Sequence, residues 1–290
     1  MPDSVLILPP SAALADRVLF YVARRAAPHD AAAAHPEVRF PANMYSAMTL
    51  VHSGQLHDGS NDDALPAVAF SGVMSRAALR RYVDAPETTV VVFRPGALTD
   101  LVHLPAFEFS DRWIAAANVL PRSSYAELGE RVLAQRGVAR RIHALESFLL
   151  RRFAAARGPG QHLSAALQSL VWQLPRLSVG ELADRFGSSK RGLQRRFRDT
   201  FGASPRLLAR LARLQLTLWH LQRRSHRLAD VARAVGFADA AHLAREVRAF
   251  VGITPSMLAE AMNEADASSW ALAAPQDALH PLGERSDEPA

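Results

Sequence analysis

The chain has 290 residues, close to half of them hydrophobic, with a formal net charge of +6 and no cysteine. That length allows two domains with a core each, and the missing cysteines exclude disulfides, thiolate catalysis and cysteine-ligated zinc. No apolar run reaches the roughly 18–20 residues of a membrane span. Residues 1–10 place no basic region ahead of the apolar stretch 5–8, so a cytoplasmic chain without a secretion signal is expected.

Residues 1–122 alternate short apolar runs with turn residues, the runs falling at 46–51, 67–70 and 88–93. Val90-Val91-Val92-Phe93 is rich in β-branched residues and bounded by Pro86 and Pro95, which predicts a strand. Phe93-Arg94-Pro95-Gly96 then turns into a short helix near 97–104. Arg94 lies at a strand end, where ligand sites often form, and is the candidate ligand contact; its structural alternative is to bridge carbonyls or Asp100. His52 and His57 stand beside Gly54, Asp58, Gly59 and Asn61, which reads as a loop, with His29 and His35 upstream. No metal or other cofactor is expected there.

Residues 123–160 form a helical connector, with Leu128, Val132, Leu145, Leu149 and Phe153 at helical spacing. Two readings stay open: a helix that forms a homodimer, or one packed against the β-rich region. Gly158-Pro159-Gly160 reads as a linker.

Charge is uneven along the chain. Residues 1–173 carry 17 basic and 15 acidic groups, residues 174–262 carry 16 and 7, and residues 263–290 carry 1 and 6. The basic surplus therefore sits in one segment, which suits a polyanion whose counterions are released on binding.

That segment contains a repeat. Leu182-Ala183-Asp184-Arg185-Phe186-Gly187 matches Val231-Ala232-Arg233-Ala234-Val235-Gly236 at an offset of 49. Leu193-Gln194-Arg195-Arg196-Phe197-Arg198 matches Leu243-Ala244-Arg245-Glu246-Val247-Arg248 at an offset of 50, as does Gly202-Ala203-Ser204-Pro205 with Gly252-Ile253-Thr254-Pro255. The extra residue falls in the turn, where a length change costs least. Each copy reads as helix, tight turn, helix: Gly187 and Gly236 end the first helix, and Ser188 or Ser189, and Asp239, cap the second. Leu193 and Phe197 face inward in one copy, and Leu243, Val247 and Phe250 in the other. Arg191, Gln194, Arg195 and Arg198 face outward in the first, Arg245 and Arg248 in the second. Arginine and glutamine match the hydrogen-bonding edges that bases present in the major groove. The plainer alternative is two unrelated hairpins with solvated arginine faces. Between the copies, leucines at 207, 208, 211, 214, 216, 218 and 221 predict one amphipathic helix about 27 Å long.

Residues 163–262 resemble the DNA-binding domain of the AraC/XylS family of transcription regulators, and the run from Gly236-Phe237 to Gly252-Ile253-Thr254-Pro255 resembles that family's signature. The resemblance implies two helix-turn-helix units that read double-stranded DNA. The first recognition helix would span 190–200, with Arg191, Gln194 and Arg195 toward the bases, and the second 239–250, with Arg245 on a base or phosphate. The residues expected at DNA are Lys190, Arg191, Gln194, Arg195, Arg198, His242, Arg245 and Arg248; Arg210 is a further phosphate candidate. Ala240 and Ala241 stand where polar side chains often reach bases, Leu243 where an aromatic is common, and Val247 replaces the usual aromatic core residue. The first unit is therefore expected to read sequence and the second mainly to grip the backbone.

The stretch through Phe93-Arg94-Pro95-Gly96 and Phe109-Ser110-Asp111-Arg112 resembles the N-terminal sensory-type domain of one branch of the same family. It implies a small β-barrel or sandwich with flanking helices, giving an α+β chain whose C-terminal domain is all-α. The expected partners are DNA, a small-molecule effector and, for an activator, RNA polymerase. The expected divisions are 1–122, 123–160, 163–262 and a disordered acidic tail at 263–290. An alkyl-transfer repair enzyme of related architecture would need a nucleophilic cysteine, and the chain has none; it is read as a non-enzyme.

Overall fold

A computed structural model describes residues 4–25, 37–155, 173–222 and 227–263. His29, His35, the Gly158-Pro159-Gly160 linker and the tail beyond 263 lie outside the described residues. The strands are β1 (Ser4–Leu8), β2 (Val18–Arg25), β3 (Glu37–Phe40), β4 (Ala47–Asp58), β5 (Val68–Ser71), β6 (Ala78–Phe93) and β7 (Trp113–Ala115). They form one antiparallel sheet in the order β1-β2-β6-β4-β5-β7, with β3 beside the first half of β6. The expected α+β architecture is thus present, its β part being this seven-stranded sheet.

Two sequence expectations change. Pro86 does not bound the strand at 88–93: β6 is 16 residues long and runs through it. The pairing of β4 with β6 shifts register at Ser53 and Gln55, and Asp84 and Ala85 have positive φ just before the proline. Pro86 is therefore accommodated at a bulge, where its missing N–H breaks no regular ladder. His52 and His57 lie within β4 rather than in a loop. His52 Nε2 is 2.9 Å from Thr89 Oγ1, and burial pulls its imidazole down to about 4. His57 contacts Gln55 and Asp62. Among the described residues no cluster has the make-up of a metal site.

Side chains alternate across the sheet with period two. Tyr21, Met48, Leu50, Phe70, Val91 and Phe93 point to one face and join a core with the helices α1 (Ala97–Val102), α2 (Arg122–Glu127, continued by a π-helical turn at Leu128–Leu133) and α3 (Val138–Ala155). Each fully buried apolar side chain of this kind contributes about 1.5–3 kcal/mol. Leu145, Phe148 and Leu149 of α3 are fully buried in that core, so this apolar face of the connector helix is engaged within the chain. Arg141 fastens the start of α3 to β6 through both oxygens of Glu87, at 2.8 and 3.0 Å. The opposite face of the sheet, carrying Phe20, Val22, Thr49, Val90 and Val92, lines a cavity.

The C-terminal half is helical: α4 (Val179–Arg185), α5 (Lys190–Phe201), α6 (Pro205–Gln222), α7 (Leu228–Val235), α8 (Ala240–Val251) and α9 (Pro255–Asn263). Its core is built from Leu182, Leu193, Phe197, Leu211, Leu214, Val231, Leu243 and Val247, among others. Ala42, Met44, Tyr45 and Val73 of the N-terminal half belong to the same buried cluster. Among the described residues no helix is long and apolar enough to cross a membrane.

Candidate nucleic-acid interface

The two copies of the repeat fold alike down to individual hydrogen bonds. In the first turn Ser188 N donates to Ala183 O at 2.9 Å and Gly187 N to Asp184 O at 3.1 Å. In the second, Phe237 N donates to Ala232 O at 2.8 Å and Gly236 N to Arg233 O at 3.3 Å. Gly187 and Gly236 have φ of +54° and +80°, the left-handed conformation that closes such a turn and that a Cβ disfavours. The second helix of each unit is capped by a side chain: Ser189 Oγ accepts from Gly192 N at 3.1 Å, and Asp239 Oδ1 from His242 N at 2.6 Å. The added residue of the second copy therefore sits between the turn and the cap, as its sequence position implies.

After the second helix of each unit the pattern repeats again. Gly202 N donates to Arg198 O at 2.9 Å and Gly252 N to Arg248 O at 3.0 Å. Ser204 Oγ and Thr254 Oγ1 then cap α6 and α9 by accepting from Leu207 N and Met257 N. The copies differ at their entrances. Ser178 and Glu181 form a reciprocal capping box on α4, whereas Arg227 opens α7 with no side-chain cap. The backbone N–H of Ser178, bonded to Glu181 at 2.7 Å, holds that carboxyl below its usual range.

Burying Leu193, Phe197 and Phe201 turns the other side of α5 to solvent. Lys190, Arg191, Gln194 and Arg195 are all exposed there. Positions 191, 194, 195 and 198 follow helical spacing and share one stripe. Arg198 is exposed as well, but its guanidinium lies 4.2 Å from the centroid of the Phe107 ring. On α8, Arg245 and Arg248 are exposed, and His242 is half-buried against Phe237, with ring centroids 5.2 Å apart.

Arg210 is placed differently from expectation. It binds both oxygens of Glu246 on α8, at 3.0 and 2.9 Å, and covers the Phe250 ring at 4.6 Å. A guanidinium held bidentately by a carboxylate has its fork occupied. Arg210 is thus a strut between α6 and α8. The exposed Arg196 and Arg206 were not singled out from the sequence; only their charge could have marked them. Arg94 donates from Nε to Ala15 O at 2.6 Å, bridging a carbonyl, while Asp100 pairs with Arg17.

The cavity beneath the sheet holds about 170 Å3. Its walls include Phe20, Val22, Tyr82, Val90 and Val92 from the strands, and Gln215 and Leu218 from α6. Gln215 is 3 % exposed and its Oε1 has no hydrogen-bond partner. Arg80, 4 % exposed, donates from Nη1 to Leu79 O and pairs with Asp58, leaving Nε without a partner. Burial lowers the Arg80 pKa. The sequence signal for this site was the strand alternation itself, which separates a core face from a cavity face.

Residues 182–261 match the family model of a helix-turn-helix domain. No curated protein sequence matches the chain. Among solved structures, the chain is similar to ToxT from Vibrio cholerae, at 12% identity over 83% of this chain and 98% of that one, with a TM-score of 0.45. It is also similar to the AraC-like transcriptional activator CuxR, at 13% identity over 73% of this chain and 86% of that one, with a TM-score of 0.23. Residues 182–261 are thus an AraC-type helix-turn-helix domain, which supports DNA binding by the chain.

Proposed function

We propose that α5 and α8 enter successive major grooves of one duplex, about 34 Å apart, with α6 fixing their separation. The supporting observation is the pair of units with matched turns at the two ends of one helix, each presenting exposed arginines. Arg191, Gln194 and Arg195 read bases. Lys190, Arg198, His242, Arg245 and Arg248 mainly grip phosphates, because the alanines at 240, 241 and 244 leave α8 little with which to address base edges.

Control comes from a small molecule in the sheet cavity, whose wall is shared between the sheet and α6. The unpartnered Arg80 Nε and Gln215 Oε1 favour a largely apolar molecule that brings one acceptor and one donor. As an activator, the DNA-bound chain would also contact RNA polymerase.

Selection of bound sequences from random DNA, run on the full chain with and without candidate metabolites, tests both parts. The expected result is a two-part motif with more information under α5 than under α8. Equal information in both halves contradicts that division, and binding indifferent to salt overturns the DNA reading. Gln215→Leu is expected to keep DNA binding and lose the metabolite response; an unchanged response places the effector elsewhere.

A further inference from the structure

The reading stripe of α5 ends against the N-terminal half. The turn Ala106–Phe109 packs on the last turn of that helix. Ser110 Oγ donates to Gly202 O at 2.7 Å, and Thr99 Oγ1 to Thr200 O at 3.4 Å, so N-terminal hydroxyls satisfy carbonyls that a helix end leaves without partners. The approach is close: a Cβ on Gly202 would lie 2.9 Å from Ala106 O. The second reading helix ends in the same way, with Ala42 N donating to Phe250 O at 2.8 Å. Both reading helices therefore rest their C-terminal turns on one N-terminal surface.

At the first of these contacts, Arg198 lies over the face of Phe107. Arg198 continues the stripe of Arg191, Gln194 and Arg195, so a duplex lying along that stripe would bring a phosphate toward the same guanidinium. The turn that holds the ring also carries the exposed, acidic Glu108, which repels a phosphate. The stacking fixes the guanidinium against this turn, so a phosphate must either approach it beside Glu108 or draw it off the ring. We propose that Phe107 is an internal competitor for DNA: in this conformation it withholds Arg198, and a duplex must displace the ring to gain that contact. The inference rests on the assignment of α5 as a groove-reading helix.

The test is binding of the full chain to a fluorescently labelled mixed-sequence duplex over a series of salt concentrations. Phe107→Leu keeps the apolar bulk and removes the ring face; Phe107→Ala removes both. With Arg198 released, either variant is expected to bind about two- to fivefold more tightly. The slope of log affinity against log salt should steepen by about 0.9 for the added phosphate. In the double variants with Arg198→Ala, both gains should vanish. Phe107→Trp, which retains a stacking face, should behave as the unaltered chain.

Unchanged affinity and slope in Phe107→Leu overturn the proposal, and so does a gain that persists without Arg198. Weaker binding also overturns it, since Phe107 would then be supporting Arg198 for DNA. If the unaltered chain shows no salt-dependent binding, the groove assignment of α5 fails first, which separates that failure from this one.

Discussion

The two helix-turn-helix units share their punctuation and differ in their faces. Turn bonds and terminal-glycine bonds recur with nearly the same lengths, and the second helix of each unit has a side-chain cap. The exposed side of α5 carries Lys190, Arg191, Gln194, Arg195 and Arg198. That of α8 carries Arg245 and Arg248 with alanines at 241 and 249, and its Glu246 is turned inward onto Arg210. Backbone geometry is what both copies need in order to project a helix; side-chain chemistry is where they diverge. Under the proposed function the difference would divide the work, one unit choosing the sequence and the other holding on.

The largest effect should separate the cores. Phe197→Ala empties a fully buried aromatic site and is expected to cost about 3–5 kcal/mol in urea unfolding. At the matched position, Val247→Ala removes fewer atoms and should cost less; equal losses would mean that the two cores are not organised as described. Next come the faces. Arg195→Ala should weaken binding by about 1–3 kcal/mol and relax preference at one base pair. Arg245→Ala should weaken all sequences alike and reduce the salt slope by about 1. Base-specific loss from the second substitution, read by competition between related duplexes, would erase the division.

The caps should show the opposite pattern, because they are shared. Ser189→Ala and Asp239→Ala should each cost about 1 kcal/mol in thermal unfolding, and a large disparity would break the equivalence of the two copies. The smallest effect is a pH difference at the entrances. Glu181 has a depressed pKa in the folded chain, so its contribution is present above its unfolded value near 4.5 and is lost as pH falls through the lower folded value. Amide exchange in the first turn of α4 should speed up there, while the first turn of α7, which has no such box, should show no matching step.

The helical half was legible because its signals are local. Gly187 and Gly236, the capping Ser189 and Asp239, and the leucines of α6 each act within a few residues of themselves. The sheet was less so. Pro86 stopped the reading of β6, because a proline normally ends a strand, and only the bulge opposite Ser53 and Gln55 lets the chain continue. The glycine and aspartate around His52 and His57 predict a loop, yet pairing with β6 keeps that stretch extended. Arg210 drew a phosphate role from its charge alone. Its partner Glu246 is 36 residues away, and no local pattern reveals a contact across that distance.

Ala42, Met44, Tyr45 and Val73 lie in one buried cluster with the helices of the helix-turn-helix domain. A fragment consisting only of the C-terminal helices would lose four of its interior neighbours and open that part of its interior to water. The N-terminal half is thus structural material for the C-terminal one, and severing the two should yield a less stable protein instead of a freely acting one.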